Sequence, residues 1–454
     1  MKAAMRAAKR LGIIAALGAM LAGSVPVAAE TEVPSPADPL AQGESLQALV
    51  DRAADGETVV VPAGVYEGPI RIAKPLVLRA EREGEAIVAN DSDKPALSIV
   101  SGQVKVAGLR IVDEAAKPSP SVVVSGEGVV LENLHIRTAS GGIAMRDADG
   151  GELQNNVIDW TDRSIPLSGR GNGIDLFNSH RVRIAGNVIH DVHDGIYLEN
   201  SDDVAVEENI IERSRYGVHT MYSNRTSVRG NTGRMNVTGA MIMTARGTSV
   251  AGNRFVKQNE NVNSQGILLY DAHESEIVNN VIEGNRVGFY IEQSADNRIE
   301  NNEVAYNFIG VQLLAARGNV IRGNAFVGNV SDAQAQDSAD NDIRENYWDA
   351  FRGIDADGDG KSDIGYAINP FYQSLVRKRP AFQLFFQSPG LAFLESLHAA
   401  DRDAWTKDVS PLLSPPSFLR SGVTQSSAAA TGFVSAALLA GACAVIFIAR
   451  RKTP

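Results

Sequence analysis

The sequence predicts an all-β fold, a right-handed parallel β-helix of about 22 residues per rung, and three observations lead there. Glycines stand at 173, 195, 217, 239, 266, 288 and 310, with spacings of 22, 22, 22, 27, 22 and 22. Asparagines at 187, 209, 231, 253, 280, 302 and 324 keep a constant offset of 14 behind those glycines. Between the two columns run short alternating stretches, GIDLF, GIYLE and GILLY, with no amphipathic helix among them. A leucine-rich horseshoe needs such a helix in each unit, whereas a solenoid of stacked strands does not. Each element then takes its place along the chain.

Lys2, Arg6, Lys9 and Arg10 precede an apolar run from Leu11 to Ala22 and the small residues Val27, Ala28 and Ala29. This is the pattern of a secretory signal peptide, residues 1–29, and the run is too short to span a bilayer. Residues 30–58 form a lead-in and cap. The net charge of -11 argues against a nucleic-acid partner, and abundant Gly with only 6% aromatics suits short strands and tight turns. One cysteine, Cys443, leaves an exported body without internal disulfides, so a soft metal site there has only Met and His to use.

Residues 59–350 carry the β-helix. Asn346 continues the Asn column, and Gly142 with Asn156 extends both columns backward across a nine-residue insertion that includes Thr161 to Gly169. Stacked asparagines read as hydrogen-bonded ladders at the turns, a structural role. Alternation points the first and third residues after each glycine inward and the second and fourth outward. His219 and Met221 therefore share the outer face with Met241 and Met243 of the next rung. Thioethers and an imidazole are soft donors that select Cu(I) over Zn(II), Ca(II) or Mg(II), so these four residues are candidate copper ligands with an open position on the solenoid face. Phe177, Tyr197, Leu268, Tyr270 and Tyr290 lie on the same face, which leaves an apolar strip covered by another segment or a partner as the alternative.

Two other clusters stand out. Asp191, His193 and Asp194 in DVHDGIY lie at a turn before a rung, where a β-helix polysaccharide lyase or C5-epimerase would place carboxylates and a base. DVHD resembles the DPHD element of mannuronan epimerases, and an Asp-rich turn is the other reading. Residues 351–368 contain Asp355, Asp357, Asp359 and Asp363 at the first, third, fifth and ninth positions of a calcium-type loop, with Gly360 at its sharp turn. Tyr366 stands where an EF-hand carries its bidentate Glu, so the loop reads as a calcium site or as a solvated acidic turn.

Residues 369–410 turn apolar and include helical spacings, a short C-terminal helical segment that would cap the solenoid or dock a partner through Phe382, Phe385, Phe386, Leu391 and Leu394. Residues 411–431 read as a linker. Residues 432–449 are uninterruptedly apolar and end in Arg450, Arg451 and Lys452, the pattern of a transmembrane anchor with a cytoplasmic tail at 450–454, or of a sorting tail removed later. The body would then be periplasmic, tethered to the inner membrane.

The repeat followed by NYWDAFRGIDADGDGKSDIGYAINP and then PAFQLFFQSPGLAFLESL resembles the NosD family over roughly Val59 to Leu413, and VVVPAGVY resembles the usual start of these right-handed helices. The block from Asn346 to Pro370 and the SP-containing segment after it are the more specific parts, since many carbohydrate-active β-helices share the repeat. The resemblance implies a non-enzymatic maturation role for nitrous oxide reductase. It implies copper supply together with the ATP-binding NosF and the membrane protein NosY of an ABC-type complex, with the chaperone NosL as donor. No copper ligand is carried over from the family, and the C-terminal anchor departs from its usual soluble form.

Overall fold

The computed structural model describes residues 45–259, 261–368 and 405–419, with a few single positions between 375 and 394. The signal peptide, residues 30–44 of the lead-in, most of 369–404, the linker from 420, the apolar span 432–449 and the tail at 450–454 lie outside the described residues. Among the described residues no helix is long and apolar enough to cross a membrane.

Strands stack into two sheets of 13 strands and one of 12, and within each sheet every third strand in chain order is the next neighbour. One rung is typical. Arg183–Ala185 lies on the first sheet, Val188–His190 on the second and Asp194–Glu199 on the third, and each pairs in parallel with its equivalent one turn later. Parallel strands need crossover connections, and here the other two sides of the rung supply them. Inward residues stack on their own kind, Ile184 on Val206 and Val206 on Val228, all fully buried. The strands of these three sheets run from Thr58 to Trp348.

The glycine column owes its composition to packing. A Cβ on Gly239 would lie 2.5 Å from the Gly266 carbonyl oxygen and 2.6 Å from the Phe255 ring. The asparagine column is the expected ladder. Asn187 Nδ2 donates to Asn209 Oδ1 at 2.9 Å and Asn209 Nδ2 to Asn231 Oδ1 at 2.9 Å, while each Oδ1 also accepts the backbone N–H of the preceding rung's asparagine. The residue before each ladder asparagine takes a left-handed conformation, as at Gly186, Gly230 and Asn279, which turns the corner. Further ladders occupy the other corners, Asn285–Asn307–Asn329 between the second and third sheets and Asn297–Asn319–Asn341 between the third and first.

Both ends of the stack are closed. At the start, helix Leu46–Arg52 is N-capped by Ser45, buries Leu46 and Val50, and accepts the Arg71 N–H through Gln47 Oε1 at 2.7 Å. At the far end Trp348 stacks between Phe326 (4.2 Å) and Tyr366 (4.6 Å). Strand Tyr366–Ala367 pairs antiparallel with Lys407–Asp408. Asp408 Oδ2 then ends the main ladder by accepting Asn346 N–H, Asn346 Nδ2 and Trp348 Nε1, each at 3.0 Å. Leu412 bridges to Tyr347 and Lys361. Residues 411–413, expected at the start of a linker, therefore belong to this closure, because the last rung's backbone groups need partners.

Candidate functional site

On the third sheet the outward positions form two columns that can be followed rung by rung. Asp175, Tyr197, His219, Met241, Leu268 and Tyr290 make one, and Phe177, Glu199, Met221, Met243, Tyr270 and Glu292 the other. His219 pairs with Met241 and Met221 with Met243, so the expected quadrilateral exists, with strands about 4.8 Å apart. Tyr197 and Glu199 bound it on one side, Leu268 and Tyr270 on the other. Tyr197 is tied down by donating to Glu199, and one rung beyond Leu268 Tyr290 donates likewise to Glu292, each at 3.0 Å.

The imidazole is less accessible than alternation implies. His219 points away from the barrel interior yet is only 6% exposed, whereas the three methionines are half-buried. The rings of Tyr197 and Tyr216 each lie 4.9 Å from its own, the second edge-on. The open position expected for the whole set thus holds for the thioethers and not for the histidine. Nδ1 of His219 sits 3.0 Å from Asp194 Oδ2. Arg215 holds the same carboxylate from Nε at 2.8 Å and Nη2 at 2.7 Å. Burial alone would raise the Asp194 pKa, but the hydrogen bonds from Arg215 and His219 and their charges outweigh it and hold the carboxyl below its ordinary range. The remaining ring nitrogen, Nε2, is buried without a hydrogen-bond partner.

A buried ring nitrogen left without a partner costs stability. In strand register His219 neighbours Met241, and Met221 two residues along neighbours Met243. The donor set contains no thiolate and no carboxylate in first contact, so it fits Cu(I) by softness. Asp194 was expected as part of a different cluster. It contacts His219 across 25 residues of sequence, and the signal that finds it is the 22-residue register, which sets Asp194 opposite Tyr216 one rung away.

The other two members of that cluster are engaged by neighbouring groups. Arg213 grips Asp191 through Nε and Nη2, each at 3.0 Å, and Arg163 adds a contact at 3.1 Å. Arg163 comes from the insertion after Trp160 and Arg170 directly follows it; Arg170 Nη1 donates to the Asp191 carbonyl at 2.6 Å and its Nε to the Ile165 carbonyl at 2.7 Å, so the insertion lies over this turn. The His193 N–H donates to the Gly171 carbonyl one rung earlier at 2.8 Å, and burial lowers its imidazole pKa. The second insertion, before Gln265, falls at the same corner three rungs after that turn, so in rung order the two loops bracket the His219 and Met241 strands.

Asp355, Asp357 and Asp359 come together with carboxylate oxygens within 4.8 Å of one another. Asp363 does not join them, because its Oδ2 accepts the Ala356 N–H at 2.7 Å. Tyr366 is committed to the aromatic stack over Trp348 and offers nothing to this loop. Of the expected docking residues, Phe382 is half-buried and Leu394 is 44% exposed, while Phe385, Phe386 and Leu391 lie outside the described residues.

Fold and site together define a right-handed parallel β-helix protein whose sulfur and imidazole donors gather on the outer face of one sheet. Residues 159–354 match the family described as periplasmic copper-binding protein (NosD), a span that contains the whole quartet. A probable ABC transporter binding protein NosD of Pseudomonas aeruginosa is 34% identical over 403 residues, which is 83% of this chain and 92% of that protein. One of the same name from Stutzerimonas stutzeri is 28% identical over 140 residues, 30% of this chain and 31% of that protein. The chain belongs to the NosD family. Among solved structures, the catalytic unit of an α-1,3-glucanase from Streptomyces thermodiastaticus is similar with a TM-score of 0.51 and 17% identity, covering 69% of this chain and 64% of that one. That likeness is one of fold.

Proposed function

We propose that this protein carries Cu(I) in transit at His219, Met221, Met241 and Met243, as a periplasmic accessory in the maturation of nitrous oxide reductase. The observation that carries the reading is the buried, unpartnered Nε2 of an anchored imidazole beside three thioethers in strand register. Half-buried methionines give a copper donor and an acceptor a face to approach, and flexible thioethers exchange ligands readily. The family description supports copper as cargo, and the relatives' name supports work with an ABC transporter; NosF and NosY as that transporter, and NosL as donor, are what the family resemblance implies. A tether through residues 432–449 would keep the solenoid near that transporter.

Polysaccharide chemistry at Asp191, His193 and Asp194 is the weaker reading. Both carboxylates are held by bidentate arginines and are nearly inaccessible, so neither is free to meet a sugar. Calcium at Asp355, Asp357 and Asp359 would serve the closure, since the Leu413 N–H donates to the Gly360 carbonyl at 3.1 Å.

The test is Cu(I) titration of the full chain against a competing chelator under reducing conditions. Met221→Leu with Met243→Leu keeps volume and apolar character while removing two sulfurs, so folding changes little and affinity falls at least about tenfold. Equal affinity in both folded proteins would return these residues to an apolar strip.

A further inference from the structure

We infer that Asp194 is the positioning residue of this site: clamped by Arg215, it holds His219 in the Nδ1–H tautomer and thereby commits Nε2 to the ion. The inference rests on the reading of the quartet as a Cu(I) site and adds what sets its strength.

The geometry is complete on the protein side. Asp194 Oδ2 meets His219 Nδ1 at 3.0 Å and Arg215 Nη2 at 2.7 Å, while Oδ1 meets Arg215 Nε at 2.8 Å and the Tyr216 N–H at 3.3 Å. An ionised carboxylate only accepts, so Nδ1 must donate, and a neutral ring then carries its lone pair on Nε2. Arg215 does a second thing. Its guanidinium lies 4.4 Å from the Tyr216 ring centre, and that ring is edge-on to the imidazole at 4.9 Å. The arginine thus fixes both the carboxylate under the ring and the aromatic wall beside it.

A buried Asp–Arg pair in a solenoid turn is often structural, and the neighbouring pair of Arg213 with Asp191 is one. The difference is the third partner, since Asp191 reaches no ring nitrogen whereas Asp194 spends one lone pair on Nδ1. Carboxylates that orient a ligating histidine through its other nitrogen typically change metal affinity about 10–100-fold when removed.

The experiment uses the full chain labelled with 15N-histidine. Long-range 1H–15N correlation reads the tautomer of His219 in the metal-free protein, and competition with a chelator reads Cu(I) affinity. Wild type is expected as the Nδ1–H tautomer. Asp194→Asn, whose amide can turn its NH2 toward Nδ1, is expected to abolish that fixed tautomer and to lower affinity about tenfold or more. The Met221→Leu, Met243→Leu pair should lower affinity and leave the tautomer alone. If Asp194→Asn does not fold, Arg215→Gln releases the carboxylate while keeping it, and the same two readings decide. A wild-type Nε2–H tautomer, or undiminished affinity in a folded Asp194 or Arg215 variant whose methionine-pair counterpart is weakened, overturns the inference and leaves the copper site standing. Undiminished affinity in the methionine pair as well overturns the site itself.

Discussion

Asp408→Ala should unpick the C-terminal end of the solenoid. The side chain is fully buried, and its Oδ2 accepts three donors from a rung some 60 residues earlier in sequence. Truncation leaves Asn346 Nδ2 with its bonds to Ile321 O and Arg344 O, but orphans the Asn346 backbone N–H and the Trp348 indole N–H. Each buried orphan costs about 1–3 kcal/mol, so the sum is about 2–6 kcal/mol. Burial raises the Asp408 pKa, and losing an uncomfortable charge returns part of that, which puts the expectation at about 2–4 kcal/mol. Asp408→Asn keeps an oxygen for the three donors and sets its NH2 against the Ser410 N–H, losing one bond for about 1 kcal/mol. In a stack where each rung touches only its neighbours, the loss is felt locally as fraying. Hydrogen exchange resolved to residues 342–348, together with urea unfolding, reads it. Exchange unchanged in the Ala variant, or Asn as damaging as Ala, would refute the ladder-ending role.

Gly239→Ala should destabilise by about 3 kcal/mol in denaturant melts, because the new methyl would meet a backbone carbonyl and the buried Phe255 ring, neither free to move. Asp332, 6% exposed, has its pKa pushed up to about 7 by burial and then by the Asp349 charge. Its folded value lies above the unfolded 3.8, so its contribution is fully present below 3.8 and is lost as pH rises through about 7. Roughly 1.5 kcal/mol should go between pH 6 and pH 8, and Asp332→Asn should remove that dependence in melts at the two pH values.

Much of this molecule is periodic, and periodic information is what one chain can disclose about itself. The 22-residue register marks the glycines that touch the next rung's carbonyl, the asparagines of the first ladder, and the pairing of His219 with Met241 and Met221 with Met243. Two further ladders are equally periodic, as in Asn285, Asn307 and Asn329.

What breaks the period could be decided only in three dimensions. Alternation says that His219 points outward, but two tyrosines and an Asp–Arg pair bury it, and side-chain burial on a solenoid's outer face depends on neighbours in adjacent rungs. By its turn position Asp191 reads as a candidate base, yet Arg213 and the insertion's Arg163 hold its carboxylate. Asp363 held a ligand position by count yet turned to a backbone N–H. Asp408 carries no repeat signal at all. It ends the ladder because the last rung leaves donors that something must satisfy, and loop closure between distant residues leaves no trace in local sequence.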